Sequence, residues 1–153
     1  FCSGGGIANL GKTQAIEHLQ RGTPAGFCPT WEDLETITAK GLAEAASAGD
    51  PAALEIYRCS GRHLGAALAL LVDLLNPDRI VIGSIYARSQ QLLRESALEV
   101  LERETLSVNR GACQILPAQL GEHLGDVAAL SVALLGRDAF QLSSVSFSYE
   151  QRA

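Results

Sequence analysis

GAALALLVDLLNPDRIVIGS, residues Gly65 to Ser84, joins a buried helix to a buried strand and then breaks into glycine at the strand's carboxyl end. Open α/β sheets place their ligands at that end. Ala67, Leu68, Leu70, Leu71, Leu74 and Leu75 cover most of a helix surface, so this helix is expected to pack on more than one side. Pro77 stops it. The β-branched run Ile80-Val81-Ile82 predicts a strand over Arg79 to Gly83 with helices on both faces, as parallel strands have. Gly83 and Ser84 follow at once. A residue without a Cβ there lets a flat ligand such as a nucleotide base lie against the backbone, and a positive φ at Gly83 would add to the demand for glycine.

A chain of 153 residues, 47% hydrophobic and 19% charged, is one globular domain or one lobe of a larger protein. It contains no methionine and opens Phe-Cys-Ser-Gly-Gly-Gly, so it is expected to be a fragment that lacks an upstream part. The net charge of −5, with twelve scattered basic residues, argues against this segment wrapping a nucleic acid. No apolar run is long and uncharged enough to span a bilayer and no signal-like start is present, so a cytoplasmic, membrane-free location is expected. Cys2, Cys28, Cys59 and Cys113 form no CxxC pair, which argues against a zinc site or a disulfide framework. Reduced thiols are expected.

Ile7 to Gln20 has helical spacing, ended by Gly22-Thr23-Pro24. Thr30 is placed to cap a short helix opening at Trp31. A further helix spans about Ala39 to Ala48, and Asp50-Pro51 supplies N-cap and first residue to the long helix that reaches Leu75. After the strand come a helix near Gln90 to Glu104, a strand Cys113 to Pro117 and a small-residue helix from about Gly125 to Leu135. Residues 1–139 form the expected lobe, and 140–153 a peripheral strand or tail.

Gly6-Ile-Ala-Asn-Leu-Gly11-Lys12-Thr13 satisfies GxxxxGK[ST], the phosphate-cradling loop, with Lys12 aimed at phosphates and Thr13 at magnesium. Such a loop must follow a buried strand, and only Phe1, Cys2 and Ser3 precede the glycines here. The simpler reading is preferred: a glycine-rich loop feeding a helix, with no strand before Gly4. Cys59 and His63 share one helix side but lack two more ligands, so a half-buried thiol beside a surface imidazole is expected. Glu122 and His123 are adjacent and read as a solvated pair rather than an acid/base couple. Asp73 is the best-placed lone carboxylate, with capping or pairing as its alternative.

The order CSGGGIANL, ITAKGLAEAASAGDPAA, LGAALALLVDLLNPDRIVIGS and ILPAQLGEHLGDVAALSVAL resembles the C-terminal lobe of the ROK family of sugar kinases and sugar-responsive repressors, from Cys2 to about Leu135. The resemblance implies an α/β fold: the C-terminal lobe of an actin/hexokinase-like (ribonuclease H-like) two-lobe protein, helices packed around a small sheet. Gly83 and Ser84 match the adenosine-side turn, a nucleotide-binding position, and Gly4, Gly5 and Gly6 match a ligand loop just after the zinc and sugar-binding segment. Gly121, Gly125, Ala128 and Ala129 match the closing helix. The family's turn is usually Gly-Gly, and Ser84 departs from it as some repressors do.

The resemblance places the catalytic aspartate, the phosphate-binding DxGG loop, the sugar contacts and the zinc cysteines upstream of Phe1, so no catalytic residue and no metal ligand is assigned in this chain. Cys2 is not read as a zinc ligand. Two functions follow. A sugar kinase would hold ATP and Mg²⁺ between the lobes and phosphorylate a hexose or N-acetylhexosamine, an upstream carboxylate serving as general base. A sugar-sensing transcriptional regulator would close the same cleft on sugar and reach nucleic acid only through an upstream domain. Sugar, ATP and a second copy of the chain in a homodimer are the implied partners.

Overall fold

The computed structural model describes residues 1–119 and 123–142, in two compact units, Phe1–Gln119 and Leu120–Ala153. In the first unit, α1 spans Gly4–Gln20. It begins at Ser3, whose extended backbone and hydroxyl, accepting the Gly6 N–H at 3.0 Å, make an N-cap. Gly4, Gly5 and Gly6 are therefore not the loop expected of them but the first turn of α1. The reason is local: first-turn N–H groups have no intrahelical partner, so a hydroxyl cap holds the turn, and buried Ile7 anchors the next residue. A Cβ on Gly6 would lie 2.7 Å from the Phe1 nitrogen, so glycine there lets residues 1–3 fold back. Phe1 to Ser3 form no strand.

A 3-10 helix at Glu32–Thr36 follows. Thr30 does not cap it by accepting; the Asp33 carboxylate instead reaches back to the Thr30 N–H (3.0 Å) and hydroxyl (2.7 Å). Thr38 caps α2 (Ala39–Ser47) through the Gly41 N–H at 3.1 Å. α3 (Pro51–Leu75) is the longest helix among the described residues, as expected. Asp50 accepts from the Ala53 N–H at 2.9 Å, Pro51 occupies the first turn, and Asn76 turns left-handed (φ 43°) ahead of Pro77.

β1 (Arg79–Ile82) and β2 (Gln114–Pro117) pair in parallel, Arg79 opposite Gln114 through Ile82 opposite Pro117. Gly83 is not part of the strand but caps α4 (Ser84–Glu104). α4 starts well before the expected Gln90 because a first turn precedes Ser89, whose non-helical φ −122° and ψ 29° break the pattern. Within the first unit, Ile80 and Ile82 face the α3/α4 side of the sheet, and Val81, on the opposite face, is 62% exposed.

The core sits where α3 crosses α4. Leu68, Ala69 and Val72 meet Leu101, and Ile56 and Tyr57 join Tyr86 and Leu93. The crossing is close because Gly61 and Gly65 carry no side chain. A Cβ on Gly61 would overlap the Ser96 hydroxyl and lie 2.7 Å from the Leu93 carbonyl oxygen. The Tyr57 hydroxyl donates to the Ala39 carbonyl at 2.8 Å and ties α2 to this core. In the second unit α5 (Leu124–Leu142) contains Gly125, Ala128 and Ala129 and runs past the expected end at Leu135. The Ser131 hydroxyl donates to the Val127 carbonyl within it. Gly121, Glu122 and the remainder of the tail, 143–153, lie outside the described residues. No helix among the described residues is long and apolar enough to cross a membrane.

Candidate functional site

Parallel pairing aligns the carboxyl ends of β1 and β2. The Ala118 N–H donates to the Ile82 carbonyl at 2.9 Å, so the exit of β2 lies beside the Gly83–Ser84 turn. The turn passes directly into α4 with no side-chain cap on its first N–H groups, an arrangement suited to accepting a polar or anionic group. Gly83 is half-buried and Ser84 exposed. The backbone demand falls on the unexpected residue: Gly83 has φ −94°, which any residue adopts, while Ser84 has φ 54°. The positive φ that would have added to the demand for glycine at Gly83 lies instead at the serine beside it. Behind the turn, Tyr86 is 1% exposed and its buried hydroxyl has no hydrogen-bond partner among the described residues.

Gly4 to Gly6 sit elsewhere in the unit, on the first turn of α1, where Gly4 approaches Ala39 and Gly5 is open. The GxxxxGK[ST] match dissolves into helix. Gly11 is buried, and a Cβ on it would lie 2.6 Å from a Leu42 methyl group. Lys12 pairs with Glu35 at 3.1 Å, and the Thr13 hydroxyl donates to the Asn9 carbonyl at 3.0 Å. None of these groups is arranged to cradle a phosphate.

His63 stacks its ring on Phe1, centroids 4.0 Å apart, and Cys59 lies one turn before it. No group of three or more His, Cys, Asp or Glu able to hold a metal ion occurs among the described residues. Asp73 is a structural cap: its carboxylate accepts the Leu106 N–H at 3.2 Å and the Asn109 side-chain amide at 3.1 Å, holding the loop between α4 and β2. All four cysteines are free. Burial pushes the Cys2, Cys28 and Cys113 thiols up from their ordinary values, with Asp33 adding to the effect at Cys28. Burial likewise raises Tyr57.

The profile of the ROK family matches residues 1–135. Among curated proteins, the DNA-binding transcriptional dual regulator NagC of Escherichia coli K12 is 27% identical over 99 residues, 65% of this chain and 24% of that protein. A glucokinase of Streptomyces coelicolor is 28% identical over 123 residues, 80% of this chain and 36% of that enzyme. Among solved structures, a ROK family glucokinase from Streptomyces griseus in complex with glucose and AMPPNP superposes with a TM-score of 0.64 at 25% identity, covering 76% of this chain and 38% of that one. The chain thus spans about a quarter to two fifths of the length of the relatives it matches. With the family profile running over the α1 turn, the long α3 and the β1–Gly83–Ser84–α4 junction, the chain belongs to the ROK family.

Proposed function

We propose that this chain is the nucleotide-side lobe of a ROK-type sugar kinase with a two-lobe, actin/hexokinase-like architecture. The observation that carries this reading is the β1–Gly83–Ser84–α4 junction: a low turn at the carboxyl end of a parallel strand pair, opening a helix whose first N–H groups lack a side-chain cap. It is supported by likeness to a glucokinase whose structure holds glucose and AMPPNP. In this reading Gly83 and Ser84 form the base-side wall for ATP, and Gly4 to Gly6 contact ligand from the start of α1. The carboxylate that deprotonates the sugar hydroxyl belongs to residues outside this chain. Among the described residues no group of three or more His, Cys, Asp or Glu stands ready to hold Mg²⁺ or zinc. The protein acts in the cytoplasm as a homodimer, with the exposed Leu70, Leu74 and Leu75 at the end of α3 as the apolar surface available for pairing.

One observation favours a second reading, a sugar-sensing regulator that binds DNA through a domain outside this chain. Ser84 occupies a left-handed position that glycine fills without strain, and NagC is among the relatives. An assay of ATP-dependent phosphorylation of glucose and N-acetylglucosamine by the full-length protein separates the two. Turnover supports the kinase; tight sugar binding with neither turnover nor ATP binding supports the regulator.

A further inference from the structure

Residues 1–3 fold back onto the middle of α3 and bring two thiols into one neighbourhood. The buried Ser60 hydroxyl donates to the Phe1 carbonyl at 3.0 Å, and the Cys2 thiol donates weakly to the Ser60 carbonyl at 3.7 Å. One turn on, the Phe1 ring stacks on His63 with centroids 4.0 Å apart. Cys2 is thereby pinned over the turn of α3 that opens at Cys59, which adjoins Ser60 and stands four residues before His63. Both thiols are free and half-buried, so a small reagent can reach them. Arg62 donates to the Cys59 sulfur as well as to Glu55. Burial raises the Cys2 thiol most, and the charge of an ionised Cys59 adds to it, as a near neighbour's does. At Cys28 and Cys113 the neighbouring charge is instead a carboxylate, Asp33 and Asp78.

We propose that Cys2 and Cys59 form a reversible disulfide, a redox latch that fastens the segment leading into α1 to the middle of α3. The oxidant is a small-molecule disulfide of the glutathione type. One protein thiolate attacks its S–S bond and releases one glutathione; the second attacks the resulting mixed disulfide and releases the other. Two electrons pass from the protein sulfurs to the oxidant, and the two protons leave on the released thiols. Little rearrangement is needed, because the Ser60 bonds and the Phe1 stack already hold the segment in place. The bond closes a loop through α1 and α2, which restricts the unfolded chain. A bond that forms and breaks with the surrounding thiol pool is the form disulfides take in a reducing compartment. The latch is independent of what the Gly83–Ser84 turn binds.

The test equilibrates the full-length protein with glutathione disulfide, blocks the remaining thiols and digests with trypsin in the absence of reductant. Cleavage after Arg58 and Arg62 leaves Cys59 in a four-residue peptide, and cleavage after Lys12 separates Cys2 from Cys28. Mass spectrometry is expected to find the Cys2 and Cys59 peptides joined, and dithiothreitol to part them. The rate of joining should be the same over a tenfold range of protein concentration, as an intramolecular bond requires. Oxidation should raise the thermal midpoint by at least about 5 °C, reversibly. Cys2→Ser and Cys59→Ser should each lose the joined peptide and the shift, with the circular dichroism spectrum unchanged. No joined peptide, joining of Cys2 or Cys59 to another cysteine instead, joining only in urea, or a rate that rises with protein concentration would each overturn the proposal.

Discussion

Gly65 of α3 lies so close to Ala97 of α4 that a Cβ on the glycine would overlap the Ala97 carbonyl oxygen and stand 2.9 Å from the Val100 Cβ. On helix propensity alone, Gly65→Ala would gain about 1 kcal/mol. Packing reverses the sign, because the obstruction is backbone in a well-packed core and not a side chain that can swing away. Overpacking of this kind costs about 1–3 kcal/mol, so net destabilisation is expected in urea unfolding. Gly5→Ala is the control: nothing lies within 4 Å of its Cβ position, so stability should hold or rise. A more stable Gly65→Ala protein would contradict the close crossing.

Ser84 stores backbone strain that glycine would release. With φ at 54°, Ser84→Gly should stabilise the fold by about 0.5–1 kcal/mol, even after the extra freedom glycine gives the unfolded chain. Ser84→Val should destabilise it. Urea midpoints for both variants check the sign, and a loss of stability in Ser84→Gly would remove the strain from the account.

Tyr57 and Tyr86 are both buried, yet their hydroxyls differ in what removal does. Tyr57→Phe gives up the bond to the Ala39 carbonyl and should cost about 1 kcal/mol. Tyr86→Phe removes a buried hydroxyl that has no partner among the described residues and should be neutral or stabilising by about 1 kcal/mol. Thermal unfolding of the pair distinguishes them, and equal losses would contradict the assigned bonding.

Much of this fold is legible in the residues. Asp50-Pro51 and Asn76-Pro77 bound α3 at both ends because cap chemistry is local. The β-branched run finds β1 for the same reason. What escapes is decided by partners distant in sequence. Gly61 and Gly65 stand four apart in the middle of a long helix, a signal for a close helix crossing that apolar periodicity alone overlooks. Gly4 to Gly6 read as loop because glycine disfavours helix, and the Ser3 cap with buried Ile7 overrides that preference. At the candidate site the position of the turn is legible, but the positive φ falls on Ser84, since the torsion depends on how α4 leaves the strand.

Buried thiols set a limit at alkaline pH. Cys28 is fully buried and held neutral by burial and by Asp33, so its folded pKa lies above that of the unfolded chain. The stability it contributes is therefore complete below the unfolded thiol value, about 8.5, and is lost as pH rises from there through the folded value. Unfolding midpoints should fall above about pH 8.5, and Cys28→Ala should flatten that slope. An unchanged slope in the variant would assign the loss to other groups.

The Gly83–Ser84 turn as the base-side wall for ATP is the central claim, and calorimetric ATP titration of the full-length protein carrying Gly83→Val tests it most directly. Because Gly83 has φ −94°, backbone torsion does not exclude valine there, and unfolding midpoints measured alongside tell loss of binding from loss of fold. Lys40→Ala, at an exposed site on α2, serves as the control. The account predicts a loss of at least about tenfold, or ~1.4 kcal/mol, in Gly83→Val with unfolding midpoints unchanged and the control unaffected. Equal ATP affinity in Gly83→Val and the control would contradict it.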